Sequence, residues 1–244
     1  MSFGLGHGKP LSTEGVGVEL PPLPDDVVQN SEAGRLDPRD WFNDPGRRFE
    51  LEIGSGKGTF LVQQAALESE TNFLGIEWAG EFYRYAADRV RRRREAGQLL
   101  NVRMLHTDAT VFLKWRCPDS FIRVIHLYFS DPWPKKRHHK NRVVQHAFLA
   151  DAWRTLVPGG ELRVVTDHDD LWAWDEEHFD RWTTSEHTDL PERAGLPPVP
   201  FDRLDFDRPE SAREGELVGT NFERKFREEG RSFHACVLRK PETT

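Results

Sequence analysis

The feature that most constrains the fold of this chain is a regular alternation of strand-like and helix-like segments between residues 48 and 166. Apolar runs rich in β-branched and aromatic residues alternate with longer runs of helical periodicity. The strand-like runs are residues 49–53, 73–76, 102–105, 124–129 and 161–166, and the helical ones are residues 59–67, 79–95, 109–115 and 143–156. This alternation predicts an α/β fold: a doubly wound, mostly parallel sheet with helices on both faces.

The flanking segments are less regular. Residues 1–45 mix glycine, proline and acidic residues without a sustained period, which predicts a flexible leader that becomes ordered near Trp41 and Phe42. Residues 46–244 are expected to form a single domain, with an irregular insert at about 175–215. A helix at 222–229 and a closing strand at 232–238 are expected to complete that domain.

Composition limits the partners of the chain. The 244 residues are 37% hydrophobic and 31% charged, which suits one soluble, cytoplasmic domain with no membrane contact. The net charge of −7 confines any nucleic acid to a local basic patch. Cys117 and Cys236 are far apart and lack metal-ligand spacing, so neither a disulfide nor a metal site is expected. No obligate protein partner is evident, and both a monomer and a homodimer stay open.

A basic stretch follows the fourth predicted strand. That strand ends at Ser130 and is followed by Asp131, Pro132, Trp133 and Pro134, and residues 135–142 then contain five Lys or Arg and two His. Ligands of open α/β sheets bind at the carboxyl ends of strands, so Asp131 is predicted to be catalytic and the basic loop to neutralise phosphates. A plain strand, turn and solvated loop is the simpler alternative. Residues 89–94 form a second basic patch, with five arginines, which a solvated helix face explains more simply.

The first predicted strand leads into a glycine loop. Gly54, Gly56 and Gly58 lie between this strand and a helix, where glycines let the backbone approach a ligand closely. The spacing lacks the third glycine of the dinucleotide fingerprint, and Lys57 is not followed by Ser or Thr as in a phosphate loop. The pattern resembles the S-adenosylmethionine loop of class I methyltransferases. Glu52 is then expected to bind the ammonium end of that cofactor, to orient the loop, or to face solvent.

Two more acids follow predicted strands. Glu77 ends the second strand about 20 residues beyond the glycine loop, a spacing at which an acid meets ribose hydroxyls in nucleotide sites. Asp108 follows the third strand, where it is expected to accept from an adenine amino group or to cap the next helix.

Together these motifs resemble one family, the bacterial tRNA (guanine-N7)-methyltransferases that modify a guanine of the variable loop. The resemblance extends from about residue 50 to 240 and is most specific at residues 130–140. It implies cofactor contacts from Glu52, Glu77, Asp108 and Asp131, and tRNA contacts from Lys135, Arg137, His138, His139, Lys140, Asn141, Arg142, Asp167, Thr220, Asn221, Phe222 and Glu223. Trp78 and Asn141 depart from the usual pattern, because a small aliphatic and a basic residue are typical there.

The implied chemistry suits these residues. The N7 atom of guanine carries an in-plane lone pair, so methyl transfer needs alignment and electrostatic support but no general base. Asp131 or Asp167 is expected to stabilise the cationic product, and either carboxylate matches the N1–H and N2 amino donors of guanine. The alternatives are an amino-group nucleic-acid methyltransferase, which the Ser130–Trp133 motif partly resembles, and a catalytically silent RNA-binding protein. A nicotinamide oxidoreductase remains an alternative only if the glycine loop does not bind S-adenosylmethionine.

Overall fold

The computed structural model describes residues 10–184 and 200–242. Its strands are β1 (Gly17–Val18), β2 (Arg48–Ile53), β3 (Thr71–Ile76), β4 (Val102–Leu105), β5 (Ile122–Tyr128), β6 (Leu156–Thr166), β7 (Asp202–Leu204) and β8 (His234–Arg239). Its helices are α1 (Thr59–Leu67), α2 (Gly80–Arg94), α3 (Ala109–Trp115), α4 (His146–Thr155), α5 (Asp169–Thr183) and α6 (Asn221–Glu228). The strands form one sheet in the order β1-β4-β3-β2-β5-β6-β8-β7. All neighbours are parallel except β8, which is antiparallel to β6 and β7, so the predicted fold class is confirmed.

Helices cover both faces of the sheet, which explains the continuous apolar strands. Every residue of β3 is buried, as expected for a parallel strand between two helical layers. One core cluster joins β2 and β5 to α3 and α4 through Phe49, Ile125 and Leu149. A second cluster packs α1 and α2 against β3 and β4 through Leu61 and Val90.

The parallel register collects the carboxyl ends of the strands at one edge. Ile53 of β2 lies opposite Ile76 of β3 and Leu127 of β5. Tyr128 lies opposite Val165 of β6 in the same way. The residues that follow these strands therefore lie at one edge of the sheet, where open α/β proteins bind ligands.

The amino-terminal segment differs from the flexible leader expected from the sequence. β1 pairs with the edge strand β4, placing Gly17 opposite Met104, and Val16 is fully buried. Further along, the Leu36 amide donates to the Arg116 carbonyl at 2.9 Å. The apolar residues of the amino-terminal segment are too scattered along the sequence to produce a periodic signal. The segment nevertheless pairs with β4, whose sheet edge would otherwise be unpaired. Residues 1–9 lie outside the described part of the chain.

The expected insert and basic loop also contain regular structure. Residues 175–183 continue α5, residues 202–204 form β7, and residues 185–199 of the expected insert lie outside the described residues. The basic stretch forms a 3-10 helix, Lys136–Asn141, where the sequence predicted only a loop. Within residues 10–184 and 200–242, no helix is both long enough and apolar enough to span a bilayer.

A conservative pair of substitutions tests whether the amino-terminal segment is part of the domain. Val16→Ala is expected to lower the free energy of unfolding by about 1–3 kcal/mol, because two buried methyl groups are lost. Val28→Ala, in the same segment but 72% exposed, is the matched control and should stay within about 0.5 kcal/mol of wild type. Urea denaturation measures both. Equal stability of the two variants would show that the segment does not contribute to the folded core.

Candidate active site

The glycine loop adopts a conformation that its three glycines make accessible. Gly54, Gly56 and Gly58 have φ angles of +74°, +53° and +67°, in the left-handed region that other residues rarely adopt. A Cβ at Gly58 would also lie 3.1 Å from the Cβ of Ala86 on α2. The loop is tied to β3, since the Gly54 amide donates to the Ile76 carbonyl at 2.8 Å. This conformation therefore allows the backbone of the loop to approach a ligand closely, as the sequence predicts.

A pocket opens beside this loop. It encloses about 810 Å³ including its solvent-open mouth, a size suited to a nucleoside-sized ligand. Its walls come from the glycine loop, α1, α2, the end of β5 and the start of α6: Glu52, Gly54, Ser55, Gly56, Lys57, Thr59, Phe60, Phe82, Tyr128, Phe129, Thr220, Asn221, Phe222 and Lys225. The apolar part of this wall was not predictable from the sequence, because aromatic residues that line a pocket and those that pack in the core follow the same pattern.

Glu52 is the buried acid of this pocket. Its side chain is 4% exposed, and its Oε2 atom has no hydrogen-bond partner among the described residues. Burial raises the pKa of this carboxyl to about 8, and the nearby charge of Glu77 adds to the rise. Glu52 therefore does not face solvent, and its unpartnered oxygen can accept from a cationic donor in the pocket.

Glu77 follows β3 and Asp131 follows β5, on either side of β2 in the sheet, and the two acids are close enough for their charges to interact. Glu77 is 8% exposed and accepts from the Gly56 amide at 2.7 Å and from the Ala79 amide at 2.8 Å. Burial raises the pKa of Glu77, and the charge of Asp131 raises it further, although the two backbone hydrogen bonds oppose this. The carboxylate is thus held against the glycine loop.

Asp108 serves as the helix cap that the sequence analysis considered. Its Oδ1 accepts from the Thr110 amide at 2.8 Å, from the Thr110 hydroxyl at 2.6 Å and from the Val111 amide at 3.4 Å. All three bonds end on Oδ1. Capping therefore leaves Oδ2 as an acceptor at the same edge of the sheet.

The segment around Asp131 has an unusual backbone. Phe129 and Trp133 have φ angles of +55° and +43°, left-handed values that are costly for non-glycine residues and cluster at functional sites. Asp131 lies between them and is exposed. No hydrogen bond or ion pair to its carboxylate is formed within residues 10–184 and 200–242. The acid is therefore available to a ligand.

The basic loop divides into exposed cations and one buried arginine. Lys135, Arg137, Lys140 and Asn141 are exposed, and His138 and His139 are partly buried. Arg142 is only 2% exposed: its Nε donates to the Pro132 carbonyl at 2.9 Å, and its guanidinium pairs with Asp170. The expectation that Arg142 contacts tRNA is at odds with this burial. Arg142 instead ties the segment after Asp131 to the start of α5.

The start of α6 also separates into structural and accessible residues. Glu223 is fully buried, and its carboxylate accepts from the Val218 amide at 2.9 Å and the Gly219 amide at 2.8 Å. Thr220 caps the helix by accepting from the Glu223 amide at 3.0 Å. Glu223 is therefore too buried for the expected tRNA contact. Asn221 and the 46% exposed Phe222 line the pocket and remain accessible.

Asp167 has a partner that the sequence analysis missed. Arg231, from the turn before β8, approaches its Oδ2 at 2.5 Å, and the same arginine pairs with Glu229 at 2.6 Å. An ion pair across 64 residues leaves no signal in local sequence. Asp131 is thus the freer of the two acids considered for a guanine contact.

A buried polar chain supports the pocket from below. His126 on β5 bonds Glu50 on β2 through Nε2 at 2.8 Å and Tyr128 through Nδ1 at 2.8 Å. All three side chains are buried, and burial raises the pKa of the Tyr128 hydroxyl, which keeps it protonated. The chain orients Tyr128, whose side chain lines the pocket.

The raised pKa of Glu52 predicts a pH dependence of stability. Since the folded pKa of about 8 exceeds the usual value of 4.5, the folded state holds a proton that the unfolded state releases, and stability falls as pH rises from 5 to 8. Glu52→Gln removes this effect, so the variant is expected to gain about 1 kcal/mol per pH unit relative to wild type. Urea denaturation across this range measures the gain. Glu70→Gln, whose side chain is 83% exposed, is the control, and parallel profiles for Glu52→Gln and wild type would contradict the assignment.

Comparison with known proteins agrees with this architecture. Residues 47–200 match a family model described as "Putative methyltransferase". An aminoglycoside-resistance methyltransferase superposes with a TM-score of 0.50 at 20% identity, covering 90% of this chain and 94% of the other. An antibiotic-related methyltransferase gives a TM-score of 0.51 at 14% identity, with 91% and 96% covered. At these identities the two structures establish a shared class I methyltransferase fold.

Sequence relatives define the family more closely. The tRNA (guanine-N(7)-)-methyltransferase of Halorhodospira halophila is 34% identical over 194 residues, which is 79% of this chain and 75% of the relative. That of Rhodospirillum rubrum is 34% identical over 78% of this chain and 76% of the relative. For the enzyme of Corynebacterium diphtheriae, 37% identical, the match covers 60% of this chain and only 55% of the relative. With the glycine loop, the strand-end acids and the basic segment after β5 in one arrangement, the chain belongs to the tRNA (guanine-N(7)-)-methyltransferase family.

Proposed function

We infer that this protein transfers the methyl group of S-adenosylmethionine to N7 of a guanine in the variable loop of tRNA. The observation that carries the inference is the position of Asp131. This free carboxylate follows the strand beside the glycine-loop pocket, and exposed cations begin four residues later at Lys135. Family membership supports the same reaction and substrate.

The pocket fits the proposed cofactor by an independent criterion. The unpartnered Oε2 of Glu52 is a buried acceptor inside the pocket, which an ammonium group would satisfy. Glu77 is oriented by two backbone amides, and its oxygens keep lone pairs for vicinal hydroxyls. Asp108 would accept from an adenine amino group through Oδ2. When bound, S-adenosylmethionine supplies a methyl group activated by a sulfonium.

The residues around the proposed guanine site need only align and stabilise it. Attack by N7 removes no proton, so no general base is needed, and the carboxylates of the site serve to stabilise positive charge. Asp131 faces the developing positive charge of the purine, and its two oxygens can also accept from N1–H and the N2 amino group. Arg142 holds Asp131 in place indirectly, through the Pro132 carbonyl.

The exposed cations of the basic loop are assigned to phosphates. Arg137 and Lys140 lie in a 3-10 helix, Lys135 directly precedes it, and the buried Arg142 ties its end to α5. In a protein with a net charge of −7, such a local patch would guide RNA to one face.

The reaction is tested by incubating the protein with labelled S-adenosylmethionine and bulk tRNA and identifying the labelled nucleoside. N7-methylguanosine is the expected product, because a free carboxylate at Asp131 can stabilise the cationic purine that N7 methylation forms, and because the chain belongs to the tRNA (guanine-N(7)-)-methyltransferase family. Label on an exocyclic amino group would instead indicate an amino-group methyltransferase. RNA binding without any label transfer would indicate a silent binding protein.

Asp131→Asn tests the role of the free carboxylate. The single-turnover rate of methyl transfer is expected to fall roughly 10²-fold, because charge stabilisation at the reacting purine is lost. The affinity for tRNA should stay similar or rise, since a negative charge near phosphates is removed. Asp167→Asn is the matched control and should have the smaller effect, because Arg231 already engages that acid. A near-normal rate for Asp131→Asn would refute its assignment.

A further inference from the structure

One cationic surface is not used by the site described above. Five arginines lie between residues 89 and 94 of α2, and the structure separates them by their partners. Arg91 pairs with Asp88 at 2.9 Å and also with Glu95, and Arg92 pairs with Asp88 at 3.1 Å. These pairs occupy one side of the helix and neutralise it.

An adjacent stripe of α2 carries cations without acidic partners. Tyr85, Arg89 and Arg93 are spaced four residues apart and therefore form one stripe along the helix. The Lys57 ammonium lies 5.8 Å above the ring of Tyr85, and the Arg89 guanidinium donates to the Lys57 carbonyl at 3.2 Å. Within residues 10–184 and 200–242, no carboxylate lies within ion-pair distance of Lys57, Arg89 or Arg93. We name these three residues, Lys57 of the glycine loop with Arg89 and Arg93 of α2, the α2 cation row.

Hydrogen bonds of Arg89 to the Lys57 carbonyl and the Thr59 hydroxyl fix its guanidinium, but ion pairing does not neutralise this row. Burial lowers the pKa of Arg89, and the like charges of Arg93 and Arg92 lower it further, so the arrangement holds cations together against their repulsion. Arg93 is exposed and its side chain makes no hydrogen bond within the described residues. The row therefore presents unneutralised charge to solvent in a chain of net charge −7.

The position of the row relates it to the pocket. Lys57 lines the pocket, and so does Phe82, one turn before Tyr85 on α2. From Tyr85 the stripe runs about 12 Å along the helix to Arg93. In the sheet, β3 and β5 lie on opposite sides of β2, so the row after β3 and the basic loop after β5 lie on opposite sides of the glycine loop. A nucleic acid bound across the pocket would meet both surfaces.

We propose that the α2 cation row is a second phosphate-binding surface for tRNA, which holds the RNA on the side of the pocket opposite the basic loop. The proposal rests on the tRNA substrate inferred above. Phosphates along a nucleic-acid strand are close enough for a row of this length to contact more than one of them. Arg93, at the exposed end, contributes charge without touching the pocket.

The test compares substitutions that remove one charge each. Full-length wild type, Arg93→Gln, Arg91→Gln and Arg137→Gln are titrated with tRNA between 50 and 200 mM salt. For Arg93→Gln, the slope of log K for tRNA binding against log salt concentration should be about 0.7–0.9 less steep than for wild type. The loss of tRNA affinity relative to wild type should therefore shrink about threefold between 50 and 200 mM salt. Arg91→Gln removes the same charge but from a guanidinium used by Asp88 and Glu95, and its slope should match wild type.

The outcomes separate this proposal from the proposed function. Equal slopes for Arg93→Gln and wild type, or equal changes for Arg93→Gln and Arg91→Gln, would overturn the second surface. Arg137→Gln reports on the basic loop independently. Failure of wild type to methylate tRNA would refute the function, whereas the binding comparison would still decide whether the row contacts RNA.

Discussion

The parallel register of β2, β3 and β5 is the constraint on which the rest of the structure depends. Because Ile53 lies opposite both Ile76 and Leu127, the chain leaves all three strands at the same edge. The glycine loop, Glu77 and Asp131 are therefore neighbours although they are far apart in sequence. Shifting one strand by a single residue would exchange its faces and separate the acids from the loop.

The charged side chains of the site differ in burial, and their burial does not follow from their positions in the sequence. Of the acids at the carboxyl edge, Glu52 and Glu77 are buried whereas Asp131 is exposed, and burial raises the pKa of Glu52 to about 8. A buried cation would favour the ionised form of Glu52, so binding an ammonium there is coupled to proton release. Lys135, Arg137 and Lys140 of the basic loop and Arg93 of α2 face solvent instead. A chain of net charge −7 thus presents local positive charge at these two surfaces.

Two residues of the family motifs act on the protein itself. Arg142 belongs to the basic stretch but is buried against Pro132 and Asp170, and Glu223 belongs to the α6 motif but binds three amides of the preceding turn. Both orient segments that carry accessible residues, namely Asp131 and Phe222. A charged residue in a recognition motif can therefore serve recognition by holding its neighbours in place.

The sequence by itself determined the α/β fold, the positions of α1, β4 and α3, and the acids and glycines at the carboxyl edge. Strand and helix periodicities, and the conformational freedom of glycine, are local properties that a single chain displays. Only the tertiary structure decided that residues 17–18 pair with the edge strand β4, that Arg231 engages Asp167, and that Arg142 and Glu223 are buried. Burial and ion pairing depend on which distant segments meet, and local patterns do not record those contacts.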